Sequence, residues 1–411
     1  MKKFDSIALA YGNTIIDSVK KTSMSDSITL SEAVEHMRFS KTASTSTSDE
    51  TELLMFSSNE RNELRGFNKF SEDIGTHPDF KELESRGGEE YSYAVNVFVD
   101  IKGSTLLATK MSLSQVKQFK NKVLITAIQI FQAFGGHIQR LQGDAVYAVF
   151  CWKGIKKSDA IIAALNATSF LNYMIDTNND RFKDKFGTSL AIRTGIDFGD
   201  DHDVLWSKYG ILKCTEVTTT SLHTDLACKM QQHANDNEII IGKNVKEFLD
   251  IPNEFCSMMD SSCFDKYDYQ MFIFTWEKYL SSFSGNPNKK GLIHNPVSTK
   301  VFISCEYSEN SNEQPQPYVA NTRALSKNIT LKFKINEFYK EKYDKIEWSI
   351  KNRGHEATIA KKRNIPLTQY TNTLNCSATT EYTGHHYIVC KIHRNGRPIA
   401  EEYFGIYVND R

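Results

Sequence analysis

Residues 94–105 read AVNVFVDIKGST, and the interpretation of this short run sets the fold. β-Branched and aromatic residues ending in Gly103-Ser104-Thr105 predict a buried strand that feeds a helix start, with the Asp100 carboxylate at the strand's mouth. Leu113, Val116, Phe119, Val123, Leu124, Ala127, Ile128, Ile130 and Phe131 then recur at three- and four-residue spacing. That period predicts a helix, and Gly135-Gly136 stops it. Two strand-like runs, 137–142 and 145–150, flank Gly143-Asp144. They predict a tight hairpin with Asp144 at its tip, beside the end of the first strand.

This layout suits metal-assisted phosphoryl transfer. Two carboxylates on adjacent strand ends can hold one or two divalent ions that bridge a nucleotide's phosphates. The backbone N–H groups of Gly103, Ser104 and Thr105 would meet phosphate oxygens at the helix start. Read alone, Asp100 serves equally well as a helix N-cap. It is the order strand, Asp-x-x-Gly-Ser-Thr, helix, strand, Gly-Asp, strand that points to chemistry.

A chain of 411 residues has room for two domains with extensions. Its 50 basic and 50 acidic residues cancel, which argues against broad binding to nucleic acid or to a membrane surface. No apolar stretch approaches the length of a membrane span, and the start MKKFDS lacks the apolar segment of a signal peptide, so a soluble cytoplasmic protein is expected. Eight cysteines, at 151, 214, 228, 256, 263, 305, 376 and 390, include no CxxC pair and read as reduced, mostly buried residues.

In chain order, residues 1–88 are expected to form an extension, helical over 28–37 and 53–70, with a Ser- and Thr-rich loop at 40–52. Arg86-Gly87-Gly88 marks the start of a domain over 89–280. Within it, 160–175 (AIIAALNATSFLNYMI) has helical spacing and one broad apolar face. The run 190–199 (LAIRTGIDFG) reads as a strand ended by a turn, and 204–217 as a hairpin turning at Lys208-Tyr209-Gly210. A helix starts at 224–230 (TDLACKM), where Asp225 and Lys229 share one face and either point into the site or form an ordinary surface ion pair, and 237–242 (NEIIIG) returns to strand. This order predicts an α+β fold, a ferredoxin-like sandwich with polar sites at strand ends. A Gly-, Pro-, Asn- and Ser-rich linker over 281–298 leads to 299–411, where period-two runs at 328–335, 346–351 and 387–393, the run at 403–408 and the turn Asn395-Gly396 predict an all-β sandwich. His385 and His386 are adjacent and would face opposite ways on a strand, which argues against a shared metal.

The spacing and setting of Asp100, Gly103, Gly143 and Asp144 resemble the catalytic core of class III nucleotidyl cyclases, and the likeness covers about 91–274. Residues 190–199 are similar to the family's "hRhGIhxG" run, where h is hydrophobic. Residues 224–242 are similar to "VNxAxRL…geIhhs", with Asp225 where the family has Asn and Lys229 where it has Arg. The resemblance implies two Mg²⁺ or Mn²⁺ ions per site held by Asp100, the Ile101 carbonyl and Asp144. It implies that Asp225 orients the ribose and Lys229 steadies charge on the α-phosphate. Lys in place of Arg keeps the charge and gives up the bidentate fork. Because family members share each site between two cores, it also implies a homodimer.

By the same resemblance the base is read at Arg140 and Thr218. Adenylate cyclases typically carry Lys with Asp or Thr there, and guanylate cyclases Glu with Cys or Ser. Arg140 excludes the guanylate pattern, because guanine presents donors at that edge. Its guanidinium suits the adjacent O2 and N3 acceptors of cytosine, and Thr218 can accept from the exocyclic amine. Facing solvent or pairing with a glutamate is the other reading of Arg140. Residues 348–357 (WSIKNRGHEA) resemble the "WxVxNxGxEA" motif of a sensor domain that follows some cyclases and nucleotidyltransferases in bacterial anti-phage operons. A class III core joined to that domain is similar to the pyrimidine cyclases of the Pycsar defence system. The expectation is therefore a cytidylate cyclase that turns CTP into cyclic CMP, is triggered by a phage component and acts on a separate effector through the messenger. A uridylate cyclase using UTP, an adenylate cyclase and a non-catalytic nucleotide sensor are the alternatives.

Overall fold

The computed structural model describes residues 61, 64, 67–186, 189–259, 268–283, 302–309, 314–336 and 343–411. The helix expected over 28–37, the 40–52 loop, Cys263, most of 53–66 and all of the linker beyond 283 lie outside the described residues. A short helix α1 (Glu82–Arg86) and strand β1 (Glu89–Tyr91) lead into β2 (Ala94–Ile101), α2 (Ser104–Lys110), α3 (Leu113–Ala133), β3 (His137–Gln142), β4 (Ala145–Phe150), α4 (Lys157–Phe186) and β5 (Ile192–Gly199). β6 (Leu205–Ile211), β7 (Cys214–Thr220), α5 (Leu222–His233), β8 (Glu238–Gly242), α6 (Lys243–Phe248), β9 (Cys256–Met258), β10 (Met271–Phe274) and α7 (Trp276–Leu280) follow.

Seven of these strands form one sheet in the order β3-β4-β2-β5-β8-β10-β9. β2 lies antiparallel to β4 and to β5, while β5 and β8 run parallel. Chain order β2-α3-β3-β4-α4-β5 with this strand order is the split βαβ arrangement of a ferredoxin-like core. Val95, Val97, Val99 and Ile101 alternate along β2 and are buried, as are Phe119, Val123, Ala127, Ile130 and Phe131 of α3. Where one helix was expected after Gly103, the chain forms two, because Ser112 and Gln115 close a capping box that starts α3 afresh.

The hairpin β6–β7 turns at Leu212-Lys213, not at Lys208-Tyr209-Gly210. Gly210 instead lies within β6, where a Cβ would sit 2.0 Å from the Cys214 carbonyl oxygen. Its glycine marks a close backbone approach and not a turn.

The C-terminal part contains β11 (Phe302–Ser308), β12 (Gln316–Tyr318), β13 (Ala324–Leu325), β14 (Thr330–Asn336), β15 (Lys345–Lys351), α8 (His355–Ile359), β16 (Asn364–Pro366), β17 (Asn375–Thr379), β18 (Gly384–Arg394) and β19 (Arg397–Val408). Two sheets, β12-β11-β14-β17 and β13-β19-β18-β15-β16, pack on a shared core that includes Leu331, Phe333, Trp348, Ile388, Cys390, Ile392 and Phe404. Asn395 and Gly396 both take positive φ, 51° and 70°, the pattern of a tight two-residue hairpin turn between β18 and β19.

The five-stranded sheet has no solvent face at its centre. Tyr387, Val389, Tyr403 and Tyr407 point away from the sandwich and join the hydrophobic core of the first sheet and its helices. For the same reason α4 is buried on more than the single broad face that its spacing predicts. Asn166 on α4 donates to the Asn321 carbonyl at 2.7 Å, and Asp159 accepts from the Ala324 N–H at 2.7 Å. The second face of that helix is covered by the sandwich.

Candidate active site

Asp100 is the next-to-last residue of β2, where its in-register partner on β5 is Arg193. The last β2–β4 pair is Val99 with Val146, so the chain continues into the Gly143-Asp144 turn directly beside Asp100 and Ile101. Gly143 has φ of 66°, a left-handed conformation that lets the turn close without strain. The structure thus brings Asp100, Ile101 and Asp144 to one strand edge.

Both carboxylates already face cations. Asp100 Oδ2 accepts from Arg193 Nη2 at 2.5 Å and from Gln231 Nε2 at 3.4 Å. Asp144 Oδ1 lies 3.4 Å from Lys120 Nζ, which also donates to Ser104 Oγ at 3.2 Å. Asp144 Oδ2 is buried and has no hydrogen-bond partner among the described residues. A buried carboxylate oxygen without a donor is costly unless something positive meets it. The Lys102 N–H bonds to the Ala191 carbonyl, which makes that pair a bonded one in the β2–β5 ladder. By alternation the Ile101 carbonyl turns to the opposite side, toward the β4 edge and Asp144. Two carboxylates and one carbonyl are hard oxygen donors, so the residues present fit a divalent ion such as Mg²⁺ or Mn²⁺.

Arg140 on β3 does not stand free. Its Nε donates to Glu216 Oε1 at 3.0 Å and its Nη2 to Glu216 Oε2, closing a fork on a β7 carboxylate. Thr218 follows two residues later on the same face of β7, about 7 Å along the strand. Beneath them, Tyr147 donates to Asn96 Oδ1 at 2.9 Å and stacks on Phe98 with ring centroids 4.2 Å apart. Burial raises the pKa of that Tyr147 phenol. Asn96 Oδ1 also accepts from Thr224 at 3.1 Å, tying β2 to the start of α5.

Ser221 caps α5, and Asp225 and Lys229 lie on its outer side while Leu226, Ala227 and Met230 face the sheet. The helix approaches β5 at Gly195, where a Cβ would sit 2.1 Å from the Ala227 carbonyl oxygen. Its first turn is held by His223, whose Nδ1 lies 2.8 Å from the fully buried Asp197 Oδ2. Burial opposes charge on His223, but the Asp197 hydrogen bond and charge outweigh it and raise the histidine's pKa. Arg193, Lys120, Gln231 and the Asp197–His223 pair carried no role in the sequence reading. Arg193 and Asp197 were legible in principle, since both lie inside the quoted 190–199 run; Lys120, Gln231 and the pairing of Asp197 with His223 show only in three dimensions.

Residues 276–409 match the family described as the adenylyl/guanylyl and SMODS C-terminal sensor domain. A Staphylococcus aureus protein named cytidylate cyclase is 41% identical over 363 residues, 83% of this chain and 84% of the relative. The chain belongs to the cytidylate cyclase family. An Escherichia coli cytidylate cyclase is 33% identical over 308 residues, 69% of this chain and 65% of that one. Among solved structures, the guanylate cyclase domain of RhGC from Catenaria anguillulae in complex with GTP is 21% identical, covers 46% of this chain and 98% of its own, and has a TM-score of 0.39. The protein is therefore an enzyme, a class III nucleotide cyclase whose α+β core carries a C-terminal sensor domain. No helix among the described residues is long and apolar enough to cross a membrane.

Proposed function

We propose that the enzyme converts CTP to 3′,5′-cyclic CMP and pyrophosphate as a homodimer, and that the product activates a separate effector in a Pycsar-type anti-phage response. The observation that carries the chemistry is the partnerless Asp144 Oδ2 beside Asp100 and the Ile101 carbonyl. Bound there, one or two divalent ions would acidify the ribose 3′-hydroxyl for attack on the α-phosphorus and neutralise the leaving pyrophosphate.

The chain's own residues have distinct tasks in this reading. Arg193 and Lys120 hold the two carboxylates in place until substrate arrives. The Gly103, Ser104 and Thr105 amides receive phosphate oxygens. Arg140 leaves the Glu216 carboxylate for the O2 and N3 acceptors of cytosine, and Thr218 accepts from the exocyclic amine. Kinship with proteins named cytidylate cyclase supports the same base.

Gln231 on α5 reaches Asp100 of its own chain. Lys229, two residues earlier, lies about 200° round that helix and so points elsewhere. This supports a site in which Asp225 and Lys229 come from a second copy, the one orienting the ribose and the other stabilising charge on the α-phosphate.

Incubating the purified protein with each of the four nucleoside triphosphates and Mn²⁺ tests the proposal. Cyclic CMP from CTP is expected. Consumption of ATP with CTP untouched would refute it.

A further inference from the structure

The sensor domain does not merely follow the cyclase core; it grips one small helix of it. At the C-terminal end of α6, the Phe248 carbonyl accepts from Asn409 Nδ2 at 2.8 Å and from Arg411 Nη2 at 2.9 Å. The Arg411 guanidinium also lies over the Phe248 ring, 4.6 Å from its centroid. Two residues on, Asp250 Oδ2 accepts from the His355 N–H at 2.5 Å. That bond explains part of the 348–357 motif. Gly354 has φ of 94°, and a Cβ there would come within 2.5 Å of Asp250 Oδ2 and 2.8 Å of the Thr383 carbonyl oxygen. The motif glycine leaves room for a core carboxylate to dock. Arg353 and Tyr387 add a second contact, each 3.4 Å from Glu254 Oε1.

The N-terminal end of α6 holds the catalytic helix. Asn244 Nδ2 bonds the Phe198 carbonyl at 2.9 Å and lies 3.2 Å from His223 Nε2. The Asn244 N–H donates to Tyr269 Oη at 2.9 Å, and that phenol donates to Asp197 Oδ1 at 2.9 Å. Asp197 in turn bonds His223, on the first turn of α5. Gly242, just before α6, has no Cβ to meet Asp197, which a side chain there would strike at 2.0 Å. A set of hydrogen bonds and packed rings, including Phe198 against Phe248 with centroids 4.9 Å apart, therefore runs from the sensor domain's Asn409 and Arg411 to α5, and Asp250 joins the motif to the same helix through its N–H bond to the Glu247 carbonyl.

We propose that α6 is the link through which the sensor domain sets the position of α5, with Asp250 as its sensor-side contact and Asn244 and His223 as positioning residues for Asp225 and Lys229. A change in how the sensor sits, forced by whatever it binds, would shift α6 and thereby the residues offered to the second copy's nucleotide. This rests on the reading of α5 as the helix that carries the transition-state residues.

The test is a double-mutant cycle on the full-length cyclase, with kcat and KM for CTP and the thermal unfolding midpoint measured for each variant. Asp250→Ala and Asn244→Ala should each lower kcat roughly three- to thirtyfold with KM nearly unchanged, and the double variant should be no worse than the poorer single one. Asp250→Asn retains an oxygen for the His355 N–H and tolerates the positive φ of 49° at that position, so it should restore kcat. Effects that multiply in the double variant, or losses that follow only the fraction of folded protein, would overturn the coupling. Lys229→Ala separates the two readings. If it is inactive while Asp250→Ala and Asn244→Ala match wild type, the coupling fails and the catalytic helix stands. If Lys229→Ala keeps full kcat, the reading of α5 fails and the proposal falls with it.

Discussion

At the scale of single residues, the site is a set of charges awaiting a ligand. Asp144 is the clearest case, with one oxygen near Lys120 and the other buried without a donor. Removing a buried, unsatisfied polar atom relieves a cost, so Asp144→Ala should leave folding stability unchanged or raise it by up to about 1 kcal/mol. The same change should cut cyclase activity by roughly a hundredfold or more, since charge stabilisation at the reacting phosphate is lost. Urea unfolding and turnover on CTP check the two halves separately, and a variant that lost both would mark the carboxylate as structural. The positions of Asp100 and Asp144 were legible because each ends a strong local pattern, a strand followed by small residues or a Gly-Asp turn. Arg140 was legible as a base-reading candidate and, in its other reading, as the partner of a glutamate; which glutamate was not, because Glu216 lies on another strand and far along the chain. Arg193 sits opposite Asp100 only through the pairing of β2 with β5.

At the scale of elements, α5 depends on a glycine beneath it. A Cβ at Gly195 would meet the Ala227 carbonyl at 2.1 Å, the Gln231 nitrogen at 2.5 Å and the Met230 Cβ at 2.9 Å. Backbone atoms cannot turn aside as a flexible side chain can, so α5 must lift from β5. Gly195→Ala is expected to cost about 1–3 kcal/mol, the usual penalty for overpacking, and to lower kcat further than that loss of stability explains. Chemical denaturation with parallel kinetics on the folded fraction would show whether the two effects separate. Residues 190–199 read correctly as a strand from their apolar run, yet nothing in that run says which element its glycine admits. The split between α2 and α3 was visible as Ser112 and Gln115 at capping-box spacing, a signal outweighed by the longer helical period around it.

At the scale of the whole molecule, two polar clusters sit where the sensor sandwich meets the cyclase core. Asn321 is fully buried, gives its carbonyl to Asn166, donates to Ser282 Oγ at 2.6 Å and lies 2.8 Å from His385 Nε2. Asp159, nearby on α4, accepts from the Ala324 N–H, yet burial pushes its pKa from 3.8 up to about 6. A raised folded-state value means that the native protein holds a proton that the unfolded chain releases. The associated stability is complete below pH 3.8, is lost as pH rises toward 6 and stays absent at neutral pH. Asp159→Asn keeps the acceptor and removes the buried charge. The variant should therefore be more stable than wild type at pH 7.5, by on the order of 2–3 kcal/mol, with the difference vanishing near pH 4. Unfolding curves collected across that range decide it, and a difference independent of pH would place the charge of Asp159 in solvent.

The sequence by itself determined the main strands and helices of the core from β2 to β8, the α+β core followed by an all-β domain, and the two acidic positions at the candidate site. Hydrophobic period, turn glycines and short spacings are local properties, readable without knowing what lies across the sheet. The unbroken apolar segments 387–390 of β18 and 403–408 of β19 also carried a hint of burial on two faces, which their reading as alternating strands passed over. Only the tertiary structure decided that the sandwich docks on α4 and α6, that Arg193 and Gln231 meet Asp100, and that Asp225 and Lys229 lie on the outer side of α5. Those outcomes depend on which distant segments share a surface, and burial, charge pairing and close backbone approach exist only once the chain has folded to bring them there.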